Sequence, residues 1–177
     1  KEEAFNKLRM GFLFVMIDFR LMGIDVLPDI IGYIYFGTGL ALLASESGFL
    51  QKAKNINLPL LLLSITRIYE APAGEGGGNG FTFLLGLAVM ILGLFHVYYI
   101  LMGIKDLGSI QGNVWIMEEA DSRWNQFLLI QFASLLGFVM IAIPGIGLIY
   151  FLAILIGTIV LATNIMSFMK RCGAELA

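Results

Sequence analysis

The chain has 177 residues, 59% of them hydrophobic and 14% charged, with a mean hydropathy of +0.88 and a formal net charge of −2. A soluble domain is near half apolar and about a quarter charged, and a small one keeps too much surface to hide such an excess from water. Lipid is therefore the expected solvent, and no basic field points to nucleic acid.

Lys1, Lys7 and Arg9 lead into a first apolar run, residues 8–17. That charge pattern resembles a secretory signal, but Asp18, Phe19 and Arg20 stand where cleavage needs small residues, so a membrane segment is expected. The run at 30–44 follows a turn carrying Asp25, Pro28 and Asp29, and a third run covers 56–65. These three are short for a bilayer core, which takes about 20 apolar residues; polar flanks must complete them. Residues 71–80 contain five glycines and are expected to form a mobile loop. Residues 81–104, 127–143 and 146–168 are long enough to cross alone, the last two separated by a tight turn at Pro144-Gly145.

Two polar stretches between these runs are amphipathic. In 45–56, Phe49, Leu50, Ala53 and Ile56 share a helical face, and in 113–127 Ile116, Ala120, Trp124 and Phe127 do so. Both are expected to lie at the membrane interface, with Glu119 paired to Arg123 one turn on. Gly37, Ala41 and Ser45, and Ala133 with Gly137, form small-residue stripes suited to close helix packing. Gln131, Asn164, Thr158 and Thr163 are expected to bond between helices. The segments beginning Pro28-Asp29-Ile30 and Pro144-Gly145-Ile146 form a weak internal repeat, each opening a returning helix; Pro and Gly also punctuate any such turn.

The fold class expected is an all-α integral membrane protein. A single transmembrane domain has about six helices, at residues 5–19, 28–44, 56–70, 81–104, 125–143 and 146–168. Short interfacial helices complete it. With both termini cytoplasmic, every Lys and Arg except Arg20 and Arg67 falls inside, as the positive-inside rule requires. A re-entrant hairpin over 8–44 would give the same asymmetry. A multi-pass protein of the bacterial plasma membrane follows.

Asp18, Arg20, Asp25 and Asp29 surround the first outer turn, and Arg67 and Glu70 approach it from the third segment. Charges near hydrocarbon are costly and so tend to pair or to line a watery cavity. The cluster is expected to converge, either as an outward-facing pocket for an ion or small charged solute or as a closed network of ion pairs. His96, the single histidine, can carry protons near neutral pH or simply bond a neighbouring helix. The lone cysteine, Cys172, excludes an internal disulfide and a cysteine-based metal centre. No nucleophile–base pair or metal set is visible, so neither catalysis nor a cofactor is expected.

The stretch Arg20-Leu21-Met22-Gly23-Ile24-Asp25-Val26-Leu27-Pro28-Asp29-Ile30-Ile31-Gly32-Tyr33 resembles an R-x-x-G-I-D-x-L-P-D-x-x-G-Y segment of small, uncharacterised polytopic membrane proteins of Gram-positive bacteria. That resemblance implies no activity. In size and helix count the chain is similar to the substrate-binding components of energy-coupling-factor transporters, although their A-x-x-x-A motif has no counterpart over residues 10–17. Glu118-Glu119-Ala120-Asp121-Ser122-Arg123 matches the EExxxR pattern of CAAX-type intramembrane proteases, but no histidine follows His96 to complete such a site. Transport or solute and ion binding is the expected function. A non-catalytic accessory or assembly subunit is the alternative. The bilayer is the expected partner, joined by another membrane protein or a second copy.

Overall fold

The computed structural model describes residues 1–16, 20–21, 24–25, 29–66, 80–140, 143 and 145–176. They form an all-α fold of six helices: α1 Glu2–Met16, α2 Asp29–Leu43, α3 Gly48–Thr66, α4 Gly80–Ile110, α5 Val114–Met140 and α6 Ile146–Glu175. Between α1 and α2 lies a minimal antiparallel ladder, β1 Arg20–Leu21 with β2 Ile24–Asp25, whose register sets Arg20 opposite Asp25. Of the loop expected at 71–80, residues 71–79 lie outside the described residues and Gly80 begins α4.

Helix ends follow local chemistry. Ser47 caps α3, its Oγ accepting from the Phe49 N–H at 3.2 Å while donating to Asp106 Oδ2 at 2.7 Å. The end of α4 is a Schellman turn. The Asn113 N–H reaches Gly108 O, the Gly112 N–H reaches Ser109 O, and Gly112 takes φ 68. Asn113 then caps α5, accepting from the Ile116 N–H at 3.2 Å. Gly145, at φ 83, precedes α6, so the α5–α6 turn uses a backbone conformation that L side chains rarely adopt.

The two amphipathic stretches are not separate interfacial helices. They are the first turns of α3 and α5, continuous with the apolar segments that follow. Their apolar faces were correctly located, but protein covers them rather than lipid headgroups: Leu50, Ala53, Ile116, Ala120 and Phe127 are buried. Gly103 on α4 makes room for Leu50, since a Cβ there would sit 2.5 Å from Leu50 Cγ.

Each helix packs on its sequence neighbours and α6 returns to α1, so the six close a ring. One end of it is polar and gathers both termini. Lys1 bridges Glu46 at 3.1 Å, Lys105 bridges Asp121 at 2.7 Å, and Asn113 donates to Glu175 at 2.8 Å. Glu119 binds Arg123, the expected pair, and also Arg171 at 3.4 Å, whose guanidinium lies 4.4 Å from the Trp115 ring centre. The core fills this half: Phe5, Leu8, Phe12, Phe36, Leu40, Leu101, Ile104, Ile165 and Phe168 are fully buried. Glycines bring α1 and α2 together, Gly11 against the Phe36 ring and Gly39 against the Ala4 carbonyl. Of the anticipated stripe on α2, Gly37 faces Asn57, but Ala41 and Ser45 are exposed.

The other half is apolar on its outside. Leu84–Ile110 and Ile146–Glu175 are long and apolar enough to cross a membrane, at mean hydropathies of 2.2 and 2.5. The core helix of a water-soluble protein would be mostly buried, whereas only 22% and 11% of these most apolar stretches are buried. On α6 alone, Ile146, Leu148, Ile149, Phe151 and Leu152 face outward. Leaving five such side chains in water forfeits about 10 kcal/mol, comparable with the whole net stability of an ordinary domain.

Candidate functional site

Where the core thins, the ring encloses a cavity of about 440 Å³, within the size range of small-molecule sites. Its wall is shared by α1 (Phe12, Val15, Met16), α2 (Asp29, Tyr33, Phe36), α4 (Val89, Gly93, His96), α5 (Ile130, Gln131, Ser134) and α6 (Thr158). Two aromatic rings pack against His96. Its imidazole meets Phe36 edge-on at 5.0 Å and Tyr33 at 6.1 Å, and Phe36 in turn meets Phe12 at 4.9 Å.

The polar groups of the wall have a consistent orientation. Ser134 donates its hydroxyl proton to Ile130 O at 2.8 Å and Thr158 donates to Ile154 O at 2.9 Å. Both protons are used within their own helices, so each oxygen presents lone pairs. Among the described residues the Gln131 side chain has no hydrogen-bond partner, and its carboxamide can turn either way. His96 is 2% exposed and its Nε2 has no partner. Buried polar nitrogens are nearly always bonded, so an orphan at a cavity wall calls for an explanation. Asp29 stands in the first turn of α2, where the helix dipole favours a carboxylate.

Of the anticipated site residues, Asp29 and His96 reach this one cavity, although they sit on different helices. Asp18 and Arg67 lie outside the described residues. Arg20 and Asp25 are described in their backbone alone, paired across the ladder, so the convergence of the charge cluster lies outside them too. His96 Nε2 bonds no neighbouring helix. Thr158 and Thr163 likewise bond carbonyls of α6 itself, not a second helix.

Sequence reasoning missed Gln131, Ser134 and Thr158 as wall residues. The signal was present in part, since Gln131 and Ser134, like Gly93 and His96, stand three residues apart and so share a helix face. The EExxxR pattern is accounted for by structure: Glu119, Arg123 and Arg171 tie α5 to α6 at the polar end, and none of the three lines the cavity. No protein-family model, curated protein or solved structure matches the chain.

Proposed function

We propose that this chain is a multi-pass membrane protein that holds a small polar solute in the cavity of its helix ring, as a transport or solute-binding protein. Six crossings with the termini cytoplasmic place the polar end, with Lys1, Lys105, Arg123 and Arg171, inside, in keeping with the positive-inside rule. The cavity then lies toward the outer face of the plasma membrane. α1 and α2, at 15 residues each, span about 22 Å, less than the roughly 30 Å of hydrocarbon.

The single observation that carries the reading is the cavity with His96 Nε2 unpartnered in its wall. Gly93 provides the test. It lines the cavity, and a Cβ added there would meet nothing within 4 Å, so the side chain of Gly93→Leu starts in open space and extends into the cavity. Native mass spectrometry of wild type released from its source membrane should show a retained small-molecule adduct, absent from Gly93→Leu of equal thermal stability. Wild type without an adduct but in stoichiometric complex with another protein would overturn the reading in favour of an accessory subunit.

A further inference from the structure

We infer that the solute is a small amine, held through its N–H groups by a wall of hydrogen-bond acceptors. The inference rests on the reading that the cavity holds a solute, and names its chemical class. Ser134 and Thr158 give their protons to Ile130 O and Ile154 O, so while those bonds are kept they accept toward the cavity. His96 lines the same cavity and its buried Nε2 lacks a partner; a turn of the ring brings it to a ligand N–H as an acceptor when the imidazole proton is on Nδ1. Gln131 turns its carbonyl inward at no cost, having no other bond to keep.

Asp29 has a partner of its own and adds an acidic group to the same wall, but the acceptor balance stands without it. Among the described residues no Lys or Arg lines the cavity. A carboxylate or phosphate would meet these oxygen lone pairs and no cation from the described residues, with only the Gln131 amide to donate to it, so most of its hydration would be lost without replacement. An ammonium group recovers hydrogen bonds from these oxygens, and aromatic rings such as those of Tyr33 and Phe36 attract a cation over their faces. Geometry and charge therefore select the same class.

The test uses the whole protein in lipid nanodiscs and compares isosteres of one size: n-butylammonium, n-butanol and n-butyrate. The amine should raise the unfolding temperature saturably in wild type, and butyrate should not. Ser134→Ala should weaken the apparent affinity about tenfold. His96→Phe, which keeps an aromatic ring in the packing, and Gly93→Leu should abolish the effect. Equal or stronger stabilisation by butyrate or butanol would overturn the assignment. An adduct retained from the source membrane, without any amine-dependent shift, would overturn the amine and leave the solute site standing. The absence of both would overturn both.

Discussion

Gly39 and Gly93 lie inside helices and face opposite conditions. A Cβ at Gly39 would stand 2.9 Å from the Ala4 carbonyl, backbone that cannot turn aside, whereas one at Gly93 would meet nothing. Gly39→Ala should therefore cost about 1–3 kcal/mol by overpacking. Gly93→Ala should stabilise by up to about 1 kcal/mol, the helix preference of alanine over glycine. Chemical denaturation in matched detergent reads both, and signs in the same direction would contradict this packing. His96 stood out in the sequence as the lone histidine, but its neighbours did not, because Phe12, Tyr33 and Phe36 come from helices distant in the chain. Cys172 is fully buried, so thiol reagents from either side should leave it unmodified in the folded protein. It therefore cannot report sidedness, although it adjoins Lys170 and Arg171.

The helices were legible where hydrophobic runs define them and less so where the chain turns polar. Residues 81–104 and 146–168 correspond to α4 and α6, yet each helix runs on into the polar end, α4 to Ile110 and α6 to Glu175. Hydropathy marks where a helix is apolar, while backbone hydrogen bonding continues until a cap such as the Gly112 turn stops it. For the same reason the amphipathic pattern at 45–56 and 113–127 gave the right face and the wrong partner. A helix face that meets another helix reads the same as one that meets lipid headgroups. Glu119 shows what the polar continuation contributes, since it joins Arg123 one turn away to Arg171 on α6. Glu119→Gln should lower stability by about 1.5–3 kcal/mol, the range for charge-assisted hydrogen bonds, and should leave solute binding unchanged. A Glu119→Gln protein that keeps wild-type stability would remove this tie between α5 and α6 from the account.

At the scale of the whole molecule, ring closure through α1 and α6 left no trace in the sequence, because contacts between chain ends carry no local pattern. The cavity is a consequence of that closure: the ring packs solidly around the polar end, and its wall opens where His96, Gln131, Ser134 and Thr158 replace core side chains. The charge asymmetry along the chain did indicate which ends lie together, and Lys1, Glu46, Lys105 and Glu175 do meet at one end. The central claim is lipid against the most exposed apolar side chains and a cavity within the ring that solutes can reach. Ile149 is 71% exposed on the outside of α6, while Gly93 faces the cavity. The most direct measurement places single cysteines at these positions in a Cys172→Ala background and applies a small, charged, membrane-impermeant thiol reagent to intact cells. The account requires Gly93→Cys to be modified and Ile149→Cys to be protected by lipid. Rapid modification of Ile149→Cys with Gly93→Cys untouched would contradict it.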